Sequence, residues 1–316
     1  MYRPNTTWPE PGTATSGKSE FAALRDVLTI VAPSAARTIL RVPPATSAVV
    51  SWNASTEHAR IELTVYRADG QVSSWLPYVE FSRLRRRSFC GSDDVAHIAT
   101  DIVESTVPIV AIEVRSDAPL DAVAVSTPVH RRSSAPATVR TALAVPALSQ
   151  YLVTRPQERG WCSPASLAML LAYWGKPHDI AEIVRGVYDD RYGGTGNWAF
   201  NVAYAARFGL RAVLMYLAGL DHAAGFIAAG IPLALSFSWA AGDLPNAPLD
   251  HSDGHLAVLR GFTRHGHPQF NDPAQADILT TYDRRALERV WQEHGGAAFA
   301  IAPVERSAEM LRLANE

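Results

Sequence analysis

Three side chains in this sequence have types and settings suited to nucleophilic chemistry: Cys162, His255 and Asp272. Cys162 is one of two cysteines and lies in residues 158–175, ERGWCSPASLAMLLAYWG, directly before a stretch that reads as a helix. A thiol at a helix start is favoured as thiolate by the unpaired N–H groups of the first turn and by the helix dipole. The competing reading is a small hydrophobe opening a core helix, because cysteine is among the most buried residue types. Ten histidines offer a base. His97, His130 and His222 have ordinary contexts, and His265 and His267 flank Gly266 in an apparent turn. His255 differs because it opens an apolar strand, GHLAVLRGF, straight after a polar loop. If residues 263–266 make the turn, His255 faces Ala274 across a hairpin, and Asp272 is its diagonal neighbour, about 7–8 Å away by Cα. Asn271 then points to the other face. A one-residue slip would exchange Asn271 for Asp272, and Asn-Asp-Pro read alone is an ordinary strand-ending turn. A carboxylate beside an imidazole fixes its tautomer and stabilises the imidazolium. For the oxyanion of such a reaction, the Cys162 N–H is one natural donor and a side-chain amide upstream is the second. Gln150 and Gln157 both qualify by position.

The bulk properties set the frame. A chain of 316 residues with 47% hydrophobic and 19% charged residues has apolar material for about two ordinary domains. Its net charge of −2 gives no basic field for nucleic acid or anionic membrane. No apolar run approaches the roughly 20 residues of a membrane span. Two distant cysteines make no disulfide framework, and no zinc-type Cys/His spacing appears. Residues 1–19 are polar and rich in Pro, Gly and Thr, as in a disordered leader, and lack the apolar stretch of a secretory signal. The expectation is a cytoplasmic protein, or a secreted one if a leader has been removed.

The elements that must position the three residues follow from local pattern. Residues 20–130 hold short runs rich in Val, Ile, Thr and aromatics, such as SAVVSWNAS and DIVESTVPIVAIEVRS, with turns at Ala68-Asp69-Gly70 and Asp117-Ala118-Pro119. They predict an all-β, jelly-roll-like sandwich. If exposed, Trp52 and Trp75 would form a face for a polymer or cell-wall contact; otherwise they are core. Asn53-Ala54-Ser55 matches a glycosylation sequon. Residues 131–141 read as a linker. Beyond it, helices are expected from residue 163 to 174 with Gly175 as stop, then at HDIAEIVRGVY, WAFNVAYAARFG and DRRALERVWQEHG, with strands at RAVLMYL, PLALSFS, HLAVLRGF and PQFND. The first helix is apolar nearly all round and must be buried. Helices first and strands afterwards predict α+β. The loop GGTGN before Trp198 makes Asn197 either a helix cap or, with Trp198, a lining residue of a groove.

VPALSQ, GWCSPASLAMLLAYWG, GNWAFNVAYAARFGL, GHLAVLRGF and FNDPA together resemble, in order and rough spacing, the C-39-like cysteine peptidases, the papain-fold group related to bacterial bacteriocin-leader-processing enzymes. The resemblance covers about residues 145–305. It implies a papain-like peptidase domain over 142–306, with a tail over 307–316. Cys162 is then the nucleophile, His255 the base, Asp272 the orienting acid and Gln150 the oxyanion amide in preference to Gln157. Trp161, Asn197 and Trp198 are implied as substrate contacts. Many relatives have Cys-Gly-Pro where this chain has Cys-Ser-Pro. The transporter domains of bacteriocin exporters are absent, so export-coupled leader processing is not implied. The expected activity is peptide-bond hydrolysis on a peptide or protein substrate, without cofactor or metal. The alternatives are an isopeptidase, amidase or acyl transferase on the same triad, or an idle binding protein.

Overall fold

The computed structural model describes residues 27–33, 37–128, 142–152 and 160–316. The expected leader and linker, together with His130 and Gln157, lie outside the described residues. Among these residues no helix is long and apolar enough to cross a membrane.

The N-terminal part is all β and antiparallel. Its strands are β1 (Leu28–Val31), β2 (Arg37–Asn53), β3 (Ala59–Arg67), β4 (Leu76–Phe81), β5 (Arg86–Ser88), β6 (Gly91–Ser92), β7 (His97–Ala99), β8 (Ile102–Ser116) and β9 (Ala122–Ser126). They pair in the order β1-β9-β2-β8-β3-β4-β5, with β6 and β7 joined through β7 to β8. β2 begins well before the expected SAVVSWNAS, because residues 37–41 already pair with β8; the register shifts across Pro43 and Pro44. Proline has no N–H for the ladder and is accommodated where pairing is interrupted. Trp52 is 2% exposed and lies in the core, stacked on Phe81 at 5.9 Å and edge-on to Tyr78 at 6.1 Å. Trp75 is half-buried between the guanidinium groups of Arg37 and Arg115, at 5.1 and 4.3 Å. Neither tryptophan is an open platform.

The C-terminal part is α+β. A six-stranded antiparallel sheet runs β10-β15-β11-β12-β13-β14, with β10 (Leu210–Tyr216), β11 (Leu233–Trp239), β12 (Ser252–Phe262), β13 (Pro268–Asn271), β14 (Leu279–Thr281) and β15 (Ala297–Pro303). One face packs on α1 (Cys162–Tyr173), α2 (Ile180–Val187) and α3 (Trp198–Ala206). The other packs on α4 (Leu220–Ala228), α5 (Arg284–Glu293) and α6 (Ser307–Asn315). Strand alternation divides the cores: Ala212, Leu214 and Tyr216 of β10 face α1 to α3, whereas Val213 and Met215 face the other layer. Residues 167–171 of α1 are all fully buried, as its unbroken apolar surface requires, and Gly175 at φ +70° ends it.

Four elements carry no readable local signal. β15 is AAFAIAP, whose alanines have weak strand preference; its central place in the sheet makes it a strand. β1 and α4 are likewise fixed by packing. Residues 307–316, expected as a tail, instead contain α6, which has no side-chain N-cap to announce it. Met310, Leu313 and Ala314 are buried, and Asn315 Nδ2 donates to the Leu28 carbonyl and Oδ1 accepts the Leu28 N–H, each at 3.0 Å.

The two parts share an interface with a definite cause. β10 is an edge strand, so alternate N–H groups face away from its own sheet. Those groups meet side chains of the N-terminal sheet: Ala212 N–H donates to Asn53 Oδ1 at 3.3 Å, Leu214 N–H to Ser51 Oγ at 3.2 Å and Tyr216 N–H to Ser126 Oγ at 3.1 Å. Asn53 Nδ2 returns a bond to the Ala212 carbonyl at 2.7 Å. The sequon asparagine is thus buried, with its amide taken up where no glycan fits. Phe200 of α3 completes the apolar contact, edge-on to Trp52 at 5.7 Å. Chemical denaturation followed by tryptophan fluorescence and far-UV circular dichroism is expected to give one coincident transition. Trp52→Ala should weaken it by about 3–5 kcal/mol. Two separated transitions in the parent protein would show that the sheets fold independently.

Candidate active site

α1 delivers Cys162 at its first residue. No side chain caps this helix start among the described residues, so first-turn N–H groups are left for an anion. Ser166, one turn on, donates to the Leu256 carbonyl at 2.9 Å and pins the helix to β12. β12 delivers His255. Its ring is 4% exposed and stands edge-on against Phe237 and Trp239 of β11, both at 5.5 Å.

Asp272 arrives through the hairpin of β12 and β13. Near the turn the register is Phe262 opposite Pro268; a bulge at Arg260 then shifts it to Leu259 opposite Phe270 and Val258 opposite Asn271. Extended to the open end, that pairing sets Asp272 diagonal to His255 on one face, as the sequence reading required. Asn271 points the other way, and its Nδ2 donates to the Val145 carbonyl at 3.0 Å. Asp272 is fully buried. Its Oδ1 accepts from His255 Nε2 at 2.8 Å and from the Ala274 N–H at 2.9 Å, while Oδ2 accepts the Tyr282 hydroxyl at 2.6 Å.

With Nε2 occupied, Nδ1 is the imidazole nitrogen left for Cys162, which lines the same cleft as His255. Burial alone would raise the thiol. The hydrogen bond and charge of His255, together with the Leu256 backbone amide, outweigh it and hold Cys162 below its ordinary value. Burial alone would lower His255, but the Asp272 carboxylate and the thiolate push it up to about 10. Burial would likewise raise Asp272, and the bonds from His255, Tyr282 and Ala274 hold it low. All three directions favour a thiolate–imidazolium pair with a carboxylate behind it.

Cys162 and His255 open onto a cleft of about 270 Å³, lined among others by Ser163, Tyr192, Gly196, Trp198, Ser236, Leu256 and His294, and by residues 99–102 of the N-terminal sheet. Trp198 is therefore at the cleft, as expected. Asn197 is not: it is 1% exposed, its Oδ1 accepts the Phe200 N–H at 3.2 Å, and Nδ2 donates to the buried Asp189 at 2.9 Å. The capping reading holds, because Asp189 draws the asparagine inward. Trp161, also expected at the groove, packs half-buried against the apolar cluster around α1, outside the cleft lining. Gln150 is 8% exposed and opens the 3₁₀ turn Gln150–Leu152 packed against α1. Its N–H donates to the Pro273 carbonyl at 3.0 Å, beside Asp272.

Tyr282, His294, Tyr192 and Asp101 escaped the sequence reading. Tyr282 had one faint signal, its place just before the Asp283 helix cap. Asp101 had none. It is buried, its Oδ2 accepts the Trp198 N–H at 2.7 Å, and burial, helped by the charge of Asp189, raises it to about 7. A carboxyl raised on folding stabilises the fold when protonated and loses that contribution as pH rises through its folded value. Parent stability is thus expected to fall relative to Asp101→Asn between about pH 4 and 7, as measured by urea denaturation across that range. Parallel curves would show that Asp101 titrates as in the unfolded chain.

No curated protein matches the chain. Among solved structures, a C39-like peptidase candidate from Bacillus anthracis is 16% identical, with 51% of this chain and 96% of that chain covered and a TM-score of 0.39. A double glycine motif protease from an AMS/PCAT transporter, solved with its leader peptide, is 21% identical, with 52% and 98% covered and a TM-score of 0.35. The family model described as Peptidase_C39 like family matches residues 142–299, half of the chain and the part that carries Cys162, His255 and Asp272. The chain belongs to this Peptidase_C39 like family and is a hydrolase of the cysteine peptidase type.

Proposed function

We propose that the protein hydrolyses peptide bonds through a thioester acyl-enzyme formed on Cys162. The thiolate attacks the scissile carbonyl, and the Cys162 N–H and the Gln150 amide receive the oxyanion. His255 gives its proton to the leaving amine, and the acyl group passes to water that His255 deprotonates in turn. Asp272 keeps the imidazole oriented and its charge compensated, and Tyr282 holds Asp272. The observation that carries this reading is the buried relay that ends at the thiol: the Tyr282 hydroxyl and the His255 imidazole both bonded to the Asp272 carboxylate, with Cys162 next to His255 in the cleft. A core cysteine would have no need of a buried, charge-compensated imidazole. We further propose that the N-terminal sheet closes on itself as a sandwich. An apolar cluster drawn mainly from β2, β3, β4, β7, β8 and β9 supports this.

Cys90 is a free, exposed thiol and serves as an internal control. At pH 6, iodoacetamide is expected to alkylate Cys162 at least about 100-fold faster than Cys90, since only a thiolate reacts. His255→Ala should remove most of that advantage; equal, slow labelling of both would sink the nucleophile assignment. A peptide library incubated with the parent protein, with Cys162→Ala as control, should show cleavage only by the parent. The alkaline limb of activity is expected near His255's value of about 10. Asp272→Asn removes the charge that raises His255, so that limb should retreat toward the ordinary imidazole range. An unmoved limb would assign it to another group.

A further inference from the structure

The family match begins at residue 142, yet one wall of the cleft belongs to the N-terminal sheet. β7 and β8 are joined by Thr100 and Asp101, and residues 99–102 line the same cavity as Cys162 and His255. This hairpin is held rigidly in place. Asp101 accepts the first N–H of α3, that of Trp198, and so ties the hairpin to a helix start that lines the same cleft. Asp189 ties the loop bearing Tyr192 to the same sheet, accepting from the Ser88 N–H at 3.0 Å and the Arg191 N–H at 3.0 Å. The edge-strand bonds of β10 and the Trp52–Phe200 contact prevent the two parts from hinging apart.

Thr100 is the notable residue of the wall. Its φ is +61°, a left-handed conformation that a β-branched side chain rarely adopts. Glycine or asparagine would make the same tight turn with less strain. The turn carries a threonine in the lining of the cleft, which Ile102, Trp198 and His294 also line. Trp198 and His294 are edge-to-face at 6.0 Å. A cleft of about 270 Å³ lies at the small end of ligand pockets, which run from about 300 to 1,000 Å³. A wall in so tight a cleft sets how much substrate side chain fits.

We propose that the Thr100–Asp101 hairpin is a specificity-determining wall of the peptidase cleft. It bounds, with Ile102, Trp198 and His294, one side-chain subsite, and limits the bulk of the substrate residue seated there. The N-terminal sheet is then part of the catalytic unit and not an independent binding module. The proposal rests on Cys162 being the nucleophile. Asp101 is a positioning residue, acting through Trp198.

The test uses the full chain and two kinds of electrophile. Iodoacetamide is small and reports the thiolate alone. A panel of dipeptidyl chloromethyl ketones, with Gly, Ala, Leu or Phe at each position, reports the thiolate and the fit of the peptide; the thiolate displaces chloride and forms a thioether. Thr100→Trp is expected to slow the bulky members at one peptide position by about tenfold or more relative to the small ones. Thr100→Gly, which relieves the backbone strain, should speed the same members. Both variants should keep iodoacetamide rates at Cys162 within about twofold of the parent. Unchanged selectivity at every position in both variants, with Cys162 still reactive, would overturn the wall while leaving the peptidase reading intact. Slow alkylation of Cys162 in the parent would overturn the nucleophile assignment and the wall with it.

Discussion

A carboxylate with no exposure to water has to find positive charge or donors inside the protein, and Asp272 finds three. The backbone N–H of Ala274 and the hydroxyl of Tyr282 are neutral, so the charge falls to His255. An imidazolium enclosed between Phe237 and Trp239 would be intolerable without that carboxylate. It in turn makes the thiolate of Cys162 the stable partner. Each ionisation is costly alone and permitted only by the next. This explains why burial and charge act in opposite senses on all three groups, with charge prevailing each time.

That chain of compensation demands rigid geometry, and the architecture supplies it through backbone pairing. His255 and Asp272 sit on adjacent strands, so the ladder fixes their separation, and the Arg260 bulge corrects the register left by the turn. Cys162 is set by an apolar helix sunk into the core and tied to β12 through Ser166. The orienting layer extends outward as well: the turn after Asp272 also receives the N–H of Gln150 at Pro273. One backbone hydrogen bond thus links the segments that carry the acid and the oxyanion amide expected from the resemblance.

The N-terminal sheet solves a different physical problem. β10 ends its sheet with unpaired N–H groups, and Ser51, Asn53 and Ser126 satisfy alternate ones. An edge strand protected by another sheet's side chains is a strong attachment, since separating them would leave several buried polar groups unpaired. The same attachment carries the β7–β8 hairpin to the cleft and places Asp101 beneath Trp198. In sequence Asn53 matches a sequon, and Trp52 and Trp75 read as sandwich core or, if exposed, as a binding face. In the fold Asn53 and Trp52 serve the interface and the core, and Trp75 is held between arginines.

Local rules made the candidate site residues legible. The thiol at a helix start, the histidine at a strand start and the carboxylate across a tight turn all lie within the reach of helix and hairpin geometry, where a few backbone angles fix relative position. Helix stops such as Gly175 and the cap at Asp283 follow from the same short-range chemistry. What stayed hidden depends on contacts distant along the chain. Asn197 turned inward because Asp189 lies beneath it; residues 307–316 became a helix because Leu28 and the core receive them. Asp101 reached Trp198 across 97 residues of sequence. The sequence by itself determined which side chains could react and how each hairpin and helix would present them. The tertiary structure alone decided which surfaces face each other across the cleft, because those pairings are set by the packing of whole sheets and have no local signature.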